Sequence, residues 1–117
     1  MKVLILGGNG VLGTELQKCG DVIALGRSEC NVMDSDSVFD AVMSHNADIV
    51  INCAAVIDNR VIETISTHAV SVNIIGAAHV SNVCNSLGIR YVYISTDYLY
   101  QGDRGNYKET DPIKPFN

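Results

Sequence analysis

Four short runs of apolar, largely β-branched residues punctuate the chain: Lys2–Gly7, Asp21–Leu25, Asp48–Cys53 and Ile89–Ser95. Their apolar residues follow one another with little polar alternation, which is the pattern of strands buried on both faces of a parallel sheet. Helical signals lie between them. The first helix is predicted from Val11 to Gly20, with the glycine in the left-handed position beyond a helix end. A second begins at Asp34 or Ser35, whose short polar side chains can cap free N–H groups, and gathers Val38, Phe39, Ala41 and Val42 on one face. The third covers Ile65 to Leu87, with Ala69, Val72, Ile75, Val80 and Val83 inward and Gly88 as the stop.

Strands alternating with helices predict an α/β fold, a Rossmann-type doubly wound parallel sheet. Right-handed crossovers most simply order its strands 3-2-1-4, making the first and fourth neighbours at the switch point where ligands bind. On that order the turn after strand 1 and Ser95-Thr96-Asp97 after strand 4 face one crevice. Residues 96–117 are broken by Gly102, Gly105, Pro112 and Pro115 and are predicted as an irregular loop. A loop of that length points to function or to a larger unit.

The turn after strand 1 reads Gly7-Gly8-Asn9-Gly10-Val11-Leu12-Gly13, with glycines in the spacing G-x-x-G-x-x-G. Glycine serves three purposes in such a turn: a tight exit from the strand, close approach of backbone to a pyrophosphate, and close helix–strand contact. The following helix N-terminus then offers free N–H groups to phosphate. A glycine-rich turn without a ligand uses the same residues, so the motif gains weight from its place between strand and helix. Twenty residues beyond Gly7 stands Arg27, where a Rossmann domain chooses its cofactor. An acid there binds the ribose 2′-hydroxyl of NAD, whereas an arginine pairs with the 2′-phosphate of NADP. With Gly26-Arg27-Ser28 and no acid before Glu29, NADP(H) is favoured over NAD(H); a solvated surface charge is the alternative for Arg27.

Composition narrows the partners. The 117 residues carry a net charge of −5 and are 47% hydrophobic, suited to one folded domain and not to a disordered or fibrous chain. Without a basic cluster, nucleic acid and anionic membrane are not expected partners. No run approaches the roughly 18 apolar residues of a spanning helix, and Met1-Lys2 leads directly into a strand without a signal-peptide cleavage site. Cys19, Cys30, Cys53 and Cys84 have no C-x-x-C spacing and read as reduced core thiols, consistent with a cytoplasmic protein. His45, His68 and His79 have no ligand-like spacing and read as surface residues, and no metal is expected.

Asn52-Cys53-Ala54-Ala55 after strand 3, Val72-Asn73-Ile74-Ile75-Gly76-Ala77 in the third helix and Tyr93-Ile94-Ser95-Thr96-Asp97-Tyr98-Leu99-Tyr100 after strand 4 add to the glycine turn. Together with Tyr107-Lys108-Glu109-Thr110-Asp111-Pro112 and Pro115-Phe116-Asn117 they resemble the extended short-chain dehydrogenase/reductases, within them the dTDP-4-dehydrorhamnose reductase group. The resemblance runs over the whole chain. It implies hydride transfer from a nicotinamide cofactor to a keto group on a nucleotide-linked deoxysugar, and it is compatible with a homodimer.

By that resemblance, Gly10, Val11 and Leu12 match the pyrophosphate turn, and Ala54, Ala55 and Val56 match the loop that passes the cofactor. Asn31 and Val32 match an Asp and an apolar residue at the adenine. Thr96 matches the hydroxyl that binds the reacting carbonyl oxygen, with Asp97 beside it on the substrate. A neutral donor there stabilises developing negative charge more than the ground state. Thr96 could equally end strand 4, and Asp97 could begin a turn. Asn73 matches an asparagine that props the active site. The loop Val56-Ile57-Asp58-Asn59-Arg60-Val61-Ile62-Glu63 departs from the family pattern, and only Glu63 falls where an acid is expected.

The family acid, a Tyr-x-x-x-Lys tyrosine, is not among the five tyrosines: four residues after each come Ser95, Asp97, Gly102, Arg104 and Asp111. Residues 1–117 therefore read as one NAD(P)-binding domain that stops short of that segment and of the substrate lobe. Three readings follow: the N-terminal portion of a reductase, a cofactor-binding regulatory protein resembling the regulatory subunit of methionine adenosyltransferase, or a sugar-nucleotide epimerase or dehydratase.

Overall fold

A computed structural model describes residues 1–115, so Phe116 and Asn117 at the end of the predicted loop lie outside the described residues. Four strands form the sheet: β1 (Val3–Leu6), β2 (Val22–Leu25), β3 (Ile49–Asn52) and β4 (Arg90–Tyr93). All pair in parallel, with Val3 opposite both Val22 and Ile49, and Ile49 opposite Arg90. Each strand falls within the apolar run that predicted it.

The order is β2-β1-β3-β4 and not 3-2-1-4. After β2 the chain forms no outer strand. It turns at once, with the Glu29 and Cys30 N–H groups closing on the Gly26 carbonyl. It then crosses back over β1 through α2 (Ser35–His45). Ile49–Asn52 therefore takes the place beside β1 that the usual doubly wound order gives to its fourth strand. β1 becomes central, and its Leu4, Ile5 and Leu6 are fully buried. The switch point lies between β1 and β3, and the loop that carries Thr96 starts one strand farther out.

Reversal of direction at β1 sends right-handed crossovers to opposite faces of the sheet. α1 (Val11–Leu16) serves one face, while α2 and α5 (Ala77–Leu87) pack together on the other. Alternation along the strands decides what each face holds. Leu4, Leu6, Leu25 and Val50 meet Val38, Val42, Val80, Val83 and Cys84 in the main core. Val3, Ile49 and Ile51 on the α1 side remain half-buried.

Several helix details differ from expectation. α1 ends at Leu16 in a 3-10 turn, Gln17–Cys19, and Gly20 has φ of 162°, extended and not left-handed. Asp34 caps α2 as predicted, its side chain accepting from the Asp36 N–H. Phe39, however, is exposed. A short helix, α3 (Asn59–Thr64), precedes the predicted start of the third helix, which beyond Ile65 is divided into α4 (Ser66–Val70), a π-helical segment (Ser71–Gly76) and α5. The wider turn of the π segment shifts the periodicity, which leaves Ile75 outward while Val80 and Val83 are buried. Gly88 ends α5 with φ of 67°, in the left-handed region as predicted.

The irregular loop is tied together by its own side chains. Tyr100 and Tyr107 stack with centroids 4.6 Å apart, Arg104 pairs with Asp111 at 2.8 Å, and the Lys114 N–H donates to the Leu99 carbonyl at 2.8 Å. Among the described residues no helix is long and apolar enough to cross a membrane.

The four cysteines are free, but only Cys30 and Cys84 are buried; Cys19 is exposed and Cys53 half-buried. Burial pushes the Cys84 thiol up to about 11. With a thiol reagent at pH 8 we expect Cys19 to react at once and Cys30 and Cys84 only as the protein unfolds, since the thiolate is the nucleophile. Rapid labelling of Cys84 in folded protein, located by mass spectrometry, would contradict this packing.

Candidate functional site

A cavity of about 280 Å³ opens at the carboxyl ends of β1 and β3. Its floor is the glycine turn. The Gly7 and Gly8 N–H groups both donate to the Leu25 carbonyl, at 3.0 and 2.9 Å, and the Gly10 N–H closes back on the Gly7 carbonyl at 3.0 Å. Gly7 has φ of 81°, and a Cβ there would lie 2.6 Å from the Ala54 nitrogen. Gly13 is packed on the Gly7 carbonyl and on Gly8, with no room for a side chain. No side chain caps α1 at Gly10, which leaves its first N–H groups without a side-chain acceptor. Gly7 and Gly10 line the cavity, whereas Val11, Leu12 and Gly13 lie behind it, with Val11 and Leu12 exposed.

The cavity's two walls come from the turn after β2 and from the loop after β3. Arg27 is exposed, lines the cavity and has no ion-pair partner among the described residues. Glu29, the nearest acid, is occupied: its carboxylate accepts the Gly26 N–H at 2.8 Å. Asn31 spends part of its amide locally, Oδ1 accepting the Met33 N–H at 3.2 Å and leaving one lone pair free. Val32 is buried beside it in the wall.

Two asparagines set the loop Ala54–Val56. Asn52, 2% exposed, accepts the Ala54 N–H on Oδ1 at 3.0 Å and donates from Nδ2 to the Tyr91 hydroxyl. Asn73 holds Val56 by both backbone groups, accepting its N–H at 2.7 Å and donating to its carbonyl at 2.9 Å. This pair replaces a strand partner for a segment that has left the sheet. The π-helical segment brings Asn73 to Val56, and its Val72 lines the cavity together with His68. Sequence reasoning missed His68, whose signal was its position four residues before Val72 on one helix face. Nor is His79 simply on the surface: both are half-buried, and the His79 ring meets the Val32 carbonyl. Cys30 and Cys53 also line the cavity, and burial raises both thiols above their ordinary range, so neither supplies a thiolate near neutral pH.

Thr96 and Asp97 follow β4 at the same edge of the sheet but are exposed and outside the cavity lining. The Thr96 hydroxyl accepts the Tyr98 N–H at 3.2 Å and so caps the short turn Asp97–Leu99. A wider depression along α2, lined by Asp34, Asp36, Asp40 and His45, holds no metal-binding cluster among the described residues.

A family model described as the RmlD substrate binding domain matches residues 1–117. The chain belongs to that family. It is 35% identical to dTDP-4-dehydrorhamnose reductase of Streptomyces griseus, over 96% of this chain and 39% of the relative. It is 30% identical to methionine adenosyltransferase 2 subunit beta of Danio rerio, over 99% and 39%. Among solved structures, the Bacillus anthracis str. Ames dTDP-4-dehydrorhamnose reductase in complex with NADP superposes with a TM-score of 0.93 at 33% identity, over 99% of this chain and 43% of that one. The chain thus spans about two-fifths of the length of these relatives.

In this RmlD-family chain the best-defined part of the site is the asparagine-held loop, and it yields a direct test. Asn73→Ala removes both bonds to Val56 and should destabilise the protein by about 1–3 kcal/mol in urea unfolding. Ile74→Ala, at a neighbour 64% exposed, should stay within about 0.5 kcal/mol. Equal effects would mean that the clamp contributes nothing.

Proposed function

We propose that these residues form the cofactor-binding part of an NADP(H)-dependent reductase acting on a nucleotide-linked 4-keto-deoxysugar. The observation that carries the reading is a glycine turn, lining the cavity with Gly7, Asn9 and Gly10, that shares it with an arginine without an ion-pair partner among the described residues. A dinucleotide fits that arrangement: Gly10, without a side chain, would let backbone approach a pyrophosphate, and Arg27 offers a planar donor fork to a 2′-phosphate. The likeness to a reductase that holds NADP supports the same assignment.

When bound, the cofactor supplies a hydride. The chain's own residues do the rest of the binding and orienting. Gly10, with Val11 and Leu12 at the start of α1, would hold the pyrophosphate; Asn31 and Val32 would flank the adenine; Ala54, Ala55 and Val56, held by Asn52 and Asn73, would lie along the rest of the cofactor. The Thr96 hydroxyl accepts the Tyr98 N–H and donates to Asp97 Oδ1 at 3.5 Å, and to bind a substrate carbonyl oxygen it would turn that proton from Asp97, which would itself face the sugar.

A general acid is not among these residues, since none of the five tyrosines has a lysine four positions on. A positioned acid contributes roughly a hundred- to ten-thousand-fold. A second reading, a cofactor-binding regulatory protein, rests on the 30% identity to methionine adenosyltransferase 2 subunit beta.

Titration decides the cofactor. NADPH should bind the 117-residue chain more tightly than NADH, and Arg27→Ala should weaken NADPH about 10- to 100-fold while leaving NADH within about twofold. Equal affinity of the unaltered chain for both would remove Arg27 from the reading. In the same preparation, NADPH oxidation with dTDP-4-dehydrorhamnose should be close to background; robust turnover would place an acid among the residues present.

A further inference from the structure

The segment Gly26–Asp34 forms one wall of the cavity without belonging to the sheet. Its hydrogen bonds are mostly internal or to α2: Glu29 and Cys30 to Gly26, Asp34 to Asn31, and the Asn31 N–H to the Ser37 hydroxyl at 3.0 Å. Among the described residues, one hydrogen bond ties it to the long helix. His79 Nδ1 lies 3.1 Å from the Val32 carbonyl oxygen, 47 positions away in the chain. A carbonyl only accepts, so Nδ1 carries the proton in this contact. One turn earlier on the same helix, Gly76 lets the backbone close on the Val32 side chain, where a Cβ would come within 2.8 Å of Cγ2. Val32 is thus gripped at its carbonyl and at its side chain, and is 5% exposed. His79 itself lines no part of the cavity.

We propose that His79 is a positioning residue for the adenosine half of the dinucleotide, acting by holding the Val32 wall, with Gly76 as its steric partner. This rests on the reading of the cavity as a dinucleotide site. The opposite end of the cavity is held by separate hydrogen bonds, between Asn73 and Val56. Loosening Val32 therefore weakens one half of the ligand and spares the other, which a general loss of stability does not do.

Two half-ligands separate these outcomes: 2′,5′-ADP for the adenosine half and reduced nicotinamide mononucleotide for the other, each titrated calorimetrically into the 117-residue chain. His79→Leu should weaken 2′,5′-ADP about three- to tenfold, the scale of one hydrogen bond, with the mononucleotide within about twofold. His79→Asn places an amide donor near the position of Nδ1 and should restore 2′,5′-ADP binding to within about twofold of the unaltered chain. Gly76→Ala, which displaces Val32 without touching His79, should reproduce the selective loss and decides the matter if His79→Leu does not fold. Unchanged 2′,5′-ADP binding in a folded variant, equal weakening of both probes, or failure of the asparagine rescue overturns the proposal. Should the unaltered chain bind neither probe, the cavity reading itself fails, an outcome distinct from failure of the His79 assignment.

Discussion

The Leu25 carbonyl accepts the N–H groups of both Gly7 and Gly8, and the geometry of the crevice depends on that fork. It fastens the exit of β1 to the exit of β2 at the moment the chain leaves the sheet. Pulled in this way, Gly7 adopts a left-handed φ and lies against the backbone of Ala54 at the exit of β3. Three strand ends are thereby locked within van der Waals contact, and no residue with a side chain could occupy position 7. Gly13 extends the constraint into α1 by resting on the Gly7 carbonyl. The glycine spacing is thus a packing requirement first, and the turn it fixes forms the floor of the cavity.

Around this fixed floor, the walls are irregular segments whose backbone groups need partners that no strand supplies. Asparagine fills that need on the β3 side, Asn52 from the strand itself and Asn73 from the long helix. On the β2 side Glu29 plays the equivalent part for Gly26. The long helix reaches both walls because it contains a π-helical turn. That extra width places Val72 and Asn73 at one wall and Gly76 at the other, consistent with the frequent occurrence of such turns at functional sites.

Much of this was legible from local pattern. The four strands lie inside their apolar runs, Asp34 caps α2 where a short acid precedes an apolar face, and Gly88 closes α5 in the left-handed region. Gly7 makes the tight exit and Gly13 the close helix contact that their spacing implies, although Gly8 has no more room: a Cβ there would strike Ala24. Such contacts join residues distant in sequence and leave no periodic trace. Thr96 was ambiguous between a catalytic hydroxyl and a local backbone contact, and in this structure it makes the second, accepting the Tyr98 N–H while its own proton is directed at the Asp97 carboxylate.

By itself the sequence determined which segments are strand or helix, because burial on two faces or on one stripe imposes a period on neighbouring residues. It also determined the turn chemistry at Gly7-Gly13 and the presence of an arginine, not an acid, after β2. Only the tertiary structure decided that β3 and not β4 sits beside β1, since every parallel pairing of these apolar strands satisfies the same local pattern. It alone placed His79 against Val32 and Asn73 against Val56, pairings across 47 and 17 positions. Their partners are backbone groups, which are identical at every residue and so cannot be recognised until the fold brings them together.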